Sequence, residues 1–425
     1  MICKLKHIIY QNLHINTSLF IHKKMVFGII REGKVPHDHR TPLLPEQAAD
    51  LRNNHPEVKI YAQSSLVRCI HDNEYEAENI EILEDMTLCD VLMGVKEVPI
   101  SQLIAGKTYM FFSHTIKKQS YNKKLIQAIL AKKIRMIDYE CLTNEKGERI
   151  VAFGLFAGIV GAYNAFWTYG QRYKTFQLKR ANDCKDYEEL KEELLKVKLP
   201  NIKIALTGRG RVGHGAVQIL EEMNMKRVPP TDYLTKTYNE PVFTVLASHD
   251  YYHQKTDEKT EFDAAIFHKN PELFEANFLH YAQQTDILIT THFWNPKADI
   301  LFSKNDMARP DFRIKIIADI SCDVDGSVPC TIRASTIDAP IYDYNPHTQE
   351  ENDLFIDDKN VTVMAVDNLP CELPFDASWA FGMQLVAYVM PHFFNGDAEK
   401  VLERATIAQN GDLMPKYEYL RDYAS

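Results

Sequence analysis

Short apolar runs, separated by polar turns and by segments of helical periodicity, recur along most of this chain. In its first third the runs that predict β-strands are KIYAQ (59–63), DVLMGVK (90–96), KTYMFFSH (107–114) and IRMIDYE (134–140). Before the last of these, YNKKLIQAILAKK (121–133) carries leucine and isoleucine at helical spacing. Strands that alternate with helices predict an α/β unit with a parallel sheet.

The same alternation continues in the second half of the chain. Further strands are predicted at FTVLA (243–247), TDILITT (285–291), RIKIIADIS (313–321) and VTVMAVD (361–367). The glycine- and alanine-rich segment 152–173 favours a buried helix over a membrane helix, because Asn164, Thr168 and Gln171 interrupt it and its small residues permit close backbone packing. The polar segment 248–263 reads as an excursion, and 378–394 predicts a helical return.

The most specific local pattern is IKIALTGRGRVGHGAVQIL, residues 202–220. A buried strand leads into Gly208, Gly210 and Gly213 with the spacing G-x-G-x-x-G, and a helix begins near Val212. Glycines there allow backbone N–H groups to approach a pyrophosphate, and the helix N-terminus attracts its charge. The pattern predicts a site for NAD or NADP, the alternative being an ordinary glycine-rich turn.

These elements predict an α/β fold of two Rossmann-like domains with parallel sheets. A substrate and catalytic domain is expected over residues 25–152 and 367–425, its second segment being the helical return, and a dinucleotide-binding domain over 153–366. Residues 1–24 are basic, but polar residues interrupt any apolar core and no small-residue cleavage site follows. They are expected to be a non-native or disordered extension, with Met25 rather than Met1 as the start.

Composition narrows the function classes. The net charge of −9 over 425 residues argues against a general nucleic-acid or membrane-surface role. No apolar run approaches the roughly 18 to 20 residues of a membrane span. The 8 cysteines show neither C-x-x-C nor zinc spacing, so reduced thiols in the cytoplasm are expected and no metal site is predicted.

Candidate chemistry follows two strands of the first domain. Lys96 ends DVLMGVK and His114 ends KTYMFFSH, and functional groups of open α/β sheets concentrate past the carboxyl ends of strands. A desolvated lysine and a histidine suit proton transfers on an amine and a carbonyl. The alternatives are a surface lysine and a histidine that caps a strand. Cations considered for carboxylate binding are Arg31, Arg40 and Arg149.

Several longer segments together resemble one known family. They are REGKVPHDHRTPLLPEQ, GVKEVP, YMFFSHTIKKQ, IRMIDYECLTNEKGERIVAFGLFAGIVGA, IIADISCDVDGS and VDNLPCELPFDASWAFG. The family is that of the lysine-forming saccharopine dehydrogenases, or lysine–2-oxoglutarate reductases, which is related to alanine dehydrogenase and the nicotinamide nucleotide transhydrogenases. FFSHTIKKQ and the insertion that begins ASHDYYHQ resemble the reductase half of bifunctional lysine-degrading enzymes more than the compact fungal form.

The resemblance implies roles for individual residues. Lys96 and His114 match the acid/base pair, Arg40 matches a substrate-carboxylate arginine, and Asp319 matches an acidic residue near the nicotinamide. Further positions near the substrate are Asp38, Glu140 and Arg149. Cofactor contacts are expected from Gly208, Arg209, Gly210, Arg211, Val212 and Gly213. Val212 stands where fungal forms carry cysteine, so a cysteine-linked feature there should be absent.

The type of nicotinamide cofactor stays open at this point. The acid that reads the ribose, expected roughly 20 residues after the glycines, is placed at Asp232, although Pro229 and Pro230 make that strand end irregular. Arg209 and Arg211 instead offer charge for a 2′-phosphate.

The family implies an NAD(P)-dependent oxidoreductase that condenses lysine with 2-oxoglutarate through an imine, or oxidises saccharopine in reverse. Alternatives are alanine dehydrogenase-like deamination and a non-catalytic nucleotide sensor. Expected partners are these small molecules, with neither nucleic acid nor membrane, for a cytoplasmic monomer or homodimer.

Overall fold

The computed structural model describes residues 25–256 and 260–425. They divide into two compact units, of which the first comprises the described residues up to Ala152 together with Pro374–Ser425, and the second Phe153–Leu373. The extension predicted over residues 1–24 lies outside the described residues.

The first segment of the first unit alternates strands and helices. Its strands are β1 (Met25–Ile29), β2 (Val58–Gln63), β3 (Glu81–Leu83), β4 (Val91–Met93), β5 (Thr108–Phe111) and β6 (Arg135–Asp138). Its helices are α1 (Pro45–Asn54), α2 (Asp72–Ala77) and α3 (Lys123–Ala131). The six strands pair in parallel in the order β6-β5-β4-β1-β2-β3.

The second unit contains a second sheet of 8 strands and a separate two-stranded hairpin. Its helices are α4 (Gly154–Tyr173), α5 (Tyr187–Leu194), α6 (Arg211–Glu222), α7 (Pro230–Thr235), α8 (Ala264–Lys269), α9 (Leu279–Ala282) and α10 (Lys304–Met307). Its strands are β7 (Lys203–Thr207), β8 (Lys226–Arg227), β9 (Val242–Leu246), β10 (Tyr252–Gln254), β11 (Phe274–Ala276), β12 (Ile287–Thr290), β13 (Ile316–Asp319), β14 (Ile341–Asn345), β15 (Glu350–Asn352) and β16 (Val361–Met364).

The sheet of the second unit has the order β15-β14-β16-β13-β12-β7-β9-β8. The strands from β16 to β8 pair in parallel, and β14 and β15 extend one edge in antiparallel fashion. β10 and β11 form the separate antiparallel pair, and of these two strands only β10 lies within residues 248–263, the segment that the sequence identified as an excursion. The aromatic residues in and around these two strands are not exposed. Tyr251, Tyr252, Phe267 and Phe274 are buried in the core of the second unit.

The chain then returns to the first unit and contributes both helices and strands. The helices are α11 (Pro374–Tyr388), α12 (Pro391–Phe394), α13 (Val401–Ala405) and α14 (Arg421–Ala424), and the strands are β17 (Thr406–Gln409) and β18 (Asp412–Leu413). β17 pairs antiparallel with β6, and β18 pairs antiparallel with β17, so the first sheet has 8 strands. The prediction of a purely helical return was therefore incomplete, because the apolar run of β17 is too short to stand out from the helices around it.

The return begins later than residue 367, the boundary predicted from the sequence. Residues 369–372 form a 3-10 turn that packs against α4 within the second unit. Asn164 Nδ2 of α4 donates a hydrogen bond of 2.9 Å to Glu372 Oε1, and Arg180 Nη2 lies 3.5 Å from Glu372 Oε2. These bonds hold the turn in the second unit, so the division falls at Pro374.

The glycine-rich segment predicted as a buried helix is α4, whose residues from Gly158 to Ala165 are all buried. It crosses α6 at very short range. A Cβ on Gly158 would lie 1.9 Å from the carbonyl oxygen of Val212, and one on Gly215 would lie 2.0 Å from that of Leu155. The small residues thus let the two helix backbones touch, as the sequence predicted. Among the residues that the structure describes, no helix is both long enough and apolar enough to cross a bilayer.

Candidate functional site

The carboxyl ends of β1, β4, β5 and β6 lie side by side in the first sheet. β1 leads into the loop that carries Arg40, β4 into Lys96, β5 into His114 and β6 into Glu140. Because the carboxyl ends of neighbouring parallel strands share one edge of a sheet, the fold brings the predicted catalytic and substrate-binding residues to a common region of this unit.

Lys96 is half-buried at the end of β4. Burial lowers the pKa of its ammonium, and the positive charges of Arg40 and Lys34 act in the same direction. The carboxylates of Asp38 and Glu97 partly oppose this shift. A lowered pKa increases the fraction of neutral amine near neutral pH, which is what a lysine needs to accept protons from a substrate.

His114 is held by the residue that follows Lys96. Its Nδ1 lies 2.7 Å from Glu97 Oε1, while Lys34 Nζ donates to Glu97 Oε2 at 2.8 Å and Asn122 Nδ2 to Oε1 at 3.3 Å. Burial raises the pKa of Glu97, but the bonds from His114 and Lys34 outweigh it and lower that pKa to about 2. An ionised carboxylate accepts only, so Nδ1 donates and Nε2 is left for chemistry.

His114 also has an unusual backbone conformation. Its φ is 52°, in the left-handed region that non-glycine residues seldom adopt. Its ring stacks on Phe112 with 6.4 Å between ring centroids. Rare backbone conformations of this kind cluster at functional sites.

The Arg40 and Asp38 side chains form a buried ion pair in the loop after β1. Arg40 Nε and Nη2 donate to Asp38 Oδ1 and Oδ2 at 2.9 and 2.6 Å, and the two side chains are 4% and 2% exposed. The two parallel bonds fix the plane of the guanidinium. Arg31, also considered for carboxylate binding, lies away from this group and pairs with Glu84 at 3.0 Å.

Glu140 gathers two further cations after β6. Its Oε1 lies 3.5 Å from Lys117 Nζ and 3.8 Å from Arg149 Nη1. Its Oε2 is buried and accepts no hydrogen bond from any described residue. A buried carboxylate oxygen without a donor is costly unless a ligand supplies one, and a substrate ammonium is a suitable donor.

Sequence reasoning missed three carboxylates that hold these strand ends in place. Glu97 adjoins Lys96, and that adjacency was the only local signal for it. Glu32 accepts backbone hydrogen bonds at the end of β4. Asp138 accepts from the backbone N–H groups of Ser113 at 3.0 Å and Glu140 at 2.7 Å, and from the Ser113 hydroxyl. Apart from the bond between Glu140 and Asp138, these bonds join residues distant in sequence, so no local pattern indicates them.

The glycine turn of the second unit has the geometry of a dinucleotide loop. Gly208 follows β7 with a φ of 98°, and a Cβ there would lie 2.8 Å from the backbone nitrogen of His292. A Cβ on Gly213 would lie 2.4 Å from Gly208 O. At Gly210, which caps α6, a Cβ would meet no atom within 4 Å. Two glycines are therefore required by the turn itself, and Gly210 borders open space beside the helix N-terminus, where a pyrophosphate fits.

Two further cofactor candidates follow Gly210 on α6. Arg211 is the exposed first residue of the helix, as expected for a side chain that meets a phosphate. Val212 packs toward α4, since a Cβ on Gly154 would lie 3.3 Å from its Cγ2. The side chain of Val212 therefore belongs to the helix crossing, and only its backbone N–H belongs to the loop.

Asp232 does not occupy the position predicted for the acid that reads the ribose. It lies on α7, where its Oδ2 pairs with Lys236 Nζ at 2.8 Å. The strand beside β7 is β9 and not β8, because an additional segment, residues 223–241, intervenes in the chain. The spacing rule of roughly 20 residues fails for this reason. The corresponding strand end is followed by the turn Ser248–Asp250.

Arg209 of the glycine loop meets the turn that follows β9, which carries His249 and Asp250. Asp250 Oδ2 accepts from the backbone N–H of Ala247 at 2.7 Å and lies 3.4 Å from Arg209 Nη2. The Arg209 and His249 side chains are 48% and 52% exposed, against 14% for Asp250. The Arg209 guanidinium and the His249 ring are therefore half-exposed, while the Asp250 carboxylate is bonded to the turn.

Asp319, predicted to lie near the nicotinamide, is the buried last residue of β13. Its carboxylate accepts from the hydroxyls of Thr290, Ser321 and Thr331, each at 2.6 Å. Both oxygens are thus engaged within the protein, and Asp319 organises the loops at this edge of the sheet. Sequence reasoning missed His292, which bonds Thr207 Oγ1 at 2.7 Å behind the glycine turn. Burial lowers the pKa of His292 to about 4 and keeps the ring neutral.

Comparison with known proteins agrees with this architecture. Residues 28–160 match the N-terminal domain model of alanine dehydrogenase/PNT, and residues 193–416 match its C-terminal domain model. An L-alanine dehydrogenase structure superposes with a TM-score of 0.61 at 14% identity, covering 94% of this chain and 100% of that one. The predicted fold of Rossmann-like domains with parallel sheets is confirmed.

Two curated relatives extend the comparison. Alpha-aminoadipic semialdehyde synthase of Rattus norvegicus is 29% identical over 95% of this chain and 48% of its own length. Saccharopine dehydrogenase [NAD(+), L-lysine-forming] of Neurospora crassa is 22% identical over 82% of this chain and 86% of its own. The chain thus spans about half the length of the first of these relatives, and the resemblance found in the sequence is confirmed. The C-terminal domain model alone matches more than half of the residues of this chain. The chain therefore belongs to the alanine dehydrogenase/PNT family.

Proposed function

We propose that this protein is an NAD(P)-dependent oxidoreductase that condenses lysine with 2-oxoglutarate to saccharopine, or oxidises saccharopine in reverse. The observation that carries the proposal is the pair of proton-transfer groups at adjacent strand ends: Lys96, with a pKa lowered by burial, and His114, held by Glu97. The names of the curated relatives support the same chemistry.

The chain's own residues account for the proton transfers of this reaction. Lys96 accepts a proton from the ε-ammonium of the substrate lysine, so that the neutral amine attacks the ketone and a carbinolamine forms. As the carbinolamine forms, the attacking nitrogen gives up its surplus proton and the ketone oxygen gains one. A proton delivered through His114 Nε2 then lets the hydroxyl leave as water and gives the protonated imine. When bound at the glycine loop, the nicotinamide coenzyme supplies the hydride that reduces this imine.

The substrate charges match the cations near these strand ends. Lysine and 2-oxoglutarate together carry three carboxylates, for which Arg40, Arg149 and Lys117 are the candidate partners. The buried Glu140 Oε2, which lacks a donor among the described residues, is placed to accept from the α-ammonium of lysine.

Consumption of NADH or NADPH with different substrate pairs tests the proposal. We expect oxidation of the coenzyme with lysine plus 2-oxoglutarate, and none with pyruvate plus ammonia. Activity with pyruvate and ammonia alone would indicate alanine dehydrogenase-like deamination. Coenzyme binding without turnover on a panel of amines and 2-oxoacids would indicate a nucleotide sensor.

Arg40→Ala is expected to raise the Michaelis constant for 2-oxoglutarate or saccharopine roughly tenfold or more, with the coenzyme constant nearly unchanged. A buried substrate carboxylate that loses its cationic partner binds less favourably by on the order of 2 to 5 kcal/mol. Because Arg40→Ala also removes the guanidinium bonded to Asp38, Arg40→Lys, which keeps the charge, is measured beside it. Thermal unfolding is followed for both variants. Arg421→Ala, which removes an exposed ion pair with Asp412 and Glu418, is the control. An unchanged 2-oxoacid constant in folded Arg40→Ala would make Arg149 the better candidate.

Arg209 is the residue we propose to contact a 2′-phosphate, since its half-exposed guanidinium lies 3.4 Å from Asp250, in the turn that follows β9. Arg209→Ala should weaken binding of NADPH about tenfold and of NADH by less than about threefold, a difference set by one charge pair. Fluorescence titration with both coenzymes measures this. Arg333→Ala, at an exposed pair with Glu351, is the matched control. Equal losses for both coenzymes would contradict the assignment.

We further propose a cytoplasmic monomer or homodimer. No disulfide joins the cysteines that the structure describes, which suits a reducing compartment; the name of the rat relative assigns that protein to mitochondria. Cell fractionation and light scattering of the purified protein test the two statements.

A further inference from the structure

Glu32 joins the end of β1 to the end of β4. Its side chain is buried, and its two carboxylate oxygens accept hydrogen bonds from the backbone N–H groups of Val95 at 2.6 Å and Lys96 at 2.8 Å. The backbone that carries Lys96 out of β4 is therefore bound by a side chain from the neighbouring strand.

The packing around this carboxylate leaves it little freedom. A Cβ placed on Gly94 would lie 3.3 Å from Glu32 Oε1 and 3.1 Å from Ile30 Cδ1. Glu32 thus fills space that a side chain at position 94 would need. Because both oxygens and the neighbouring backbone are fixed together, a change at Glu32 must be felt at Lys96.

Burial and a neighbouring acid make the ionised form of the Glu32 carboxyl energetically unfavourable. Burial raises the pKa of its carboxyl to about 8 and Asp38 adds to the shift, while the N–H groups of Val95 and Lys96 and the charge of Arg40 oppose it. Tyr139, after β6, also faces this carboxyl, which helps to raise the pKa of the phenol. A buried acid beside a second acid costs stability, and such groups concentrate at functional sites.

We propose that Glu32 is a positioning residue for Lys96: it binds the two consecutive N–H groups of Val95 and Lys96 and so fixes the direction in which the lysine side chain leaves β4. It contacts neither substrate nor coenzyme in this role. The inference deepens the proposed function, in which Lys96 transfers protons, but the placement of Lys96 can be measured without any turnover.

The same two strands offer a matched control at their other end. Asp90 Oδ2, just before β4, accepts a hydrogen bond of 3.0 Å from the backbone N–H of Val26 in β1. This is also a carboxylate-to-backbone bond between β1 and β4, but it lies at the end away from Lys96.

The experiment compares wild type, E32Q and D90N as full-length proteins. Competitive acetylation with acetic anhydride across neutral and alkaline pH, read by mass spectrometry, gives the pKa of Lys96, with the exposed Lys400 as internal reference. In glutamine an –NH2 group, which can only donate, replaces one of the two oxygens and faces a backbone N–H, so the turn relaxes and Lys96 loses burial. We expect the labelling pKa of Lys96 to rise toward that of an ordinary lysine in E32Q. D90N should match wild type.

Turnover provides the second readout. In E32Q we expect kcat to fall roughly 10- to 100-fold, the scale of a small misplacement of a reacting group, while the Michaelis constant of the coenzyme stays within about twofold. D90N should retain the kcat of wild type. If Glu32 were merely structural, E32Q would lower the stability of the fold but would leave the labelling profile of Lys96 and kcat per folded molecule unchanged.

Wild-type labelling of Lys96 and wild-type kcat in folded E32Q would overturn the proposal. If E32Q does not fold, E32D, which keeps the carboxyl group but is one methylene shorter, takes its place, and a wild-type profile in E32D is equally decisive. If wild type itself fails to turn over lysine and 2-oxoglutarate, the proposed function falls. The labelling result then still decides whether Glu32 places Lys96.

Discussion

Lys96→Met is expected to lower turnover roughly 10²- to 10⁴-fold, the usual contribution of a positioned acid or base. Methionine keeps much of the length of the side chain and its apolar contacts but cannot accept a proton. His114→Gln should cause a loss of the same size, because glutamine can retain a hydrogen bond to Glu97 but does not titrate. Steady-state kcat in both directions measures the effect.

The affinity for coenzyme should hardly change in either variant, since both residues lie in the first unit and the glycine loop lies in the second. Lys107→Met is a suitable control, because Lys107 directly precedes β5 at the amino end of the same sheet and its Nζ donates to the carbonyl of Thr87. Near-normal kcat in Lys96→Met or His114→Gln would show that the side chain concerned is structural.

Gly210→Val is expected to abolish nicotinamide coenzyme binding while the fold stays largely intact. The backbone φ of Gly210 is −81°, which any residue tolerates, and a Cβ there meets no protein atom within 4 Å. The valine side chain would instead occupy the space into which the pyrophosphate must come. Fluorescence titration with NADH and NADPH measures binding, and thermal unfolding measures the fold.

Gly213→Ala separates a blocked site from a damaged turn. Its added methyl group would lie 2.4 Å from Gly208 O, so the loop itself must move and the melting temperature should fall. Gly210→Val should keep the melting temperature of wild type. Unchanged coenzyme affinity in Gly210→Val would remove the assignment of this loop as the dinucleotide site.

The sequence alone predicted the features of the fold and of the candidate site that depend on a local pattern of residues. The apolar runs that become β4, β5 and β6 end in polar residues, so the amino-acid pattern alone assigns Lys96, His114 and Glu140 to strand ends. The glycine loop was equally clear because its spacing reflects backbone contacts within one turn. Their roles in binding and catalysis stay predictions.

The sequence did not predict the features that depend on contacts between segments far apart in the chain. Glu32 and Asp138 bind backbone groups of neighbouring strands, and such bonds depend on strand order, which periodicity does not reveal. Asp232 was misplaced for a related reason, since the extra strand β8 lies at the sheet edge and breaks the usual spacing. β17 was missed because two segments far apart in the chain complete one sheet.

The crossing of α4 and α6 at Gly158 and Gly215 has a mechanical consequence for the coenzyme loop. Where two helix backbones touch, there are no side chains whose rotamers can absorb a displacement, so the contact is stiff. α6 begins directly after Gly210, and the loop is thus anchored to a helix of 20 residues. Amide hydrogens at the crossing should exchange with solvent among the slowest of the second unit. The loop should then meet its ligand already ordered, with little entropy left to lose on binding.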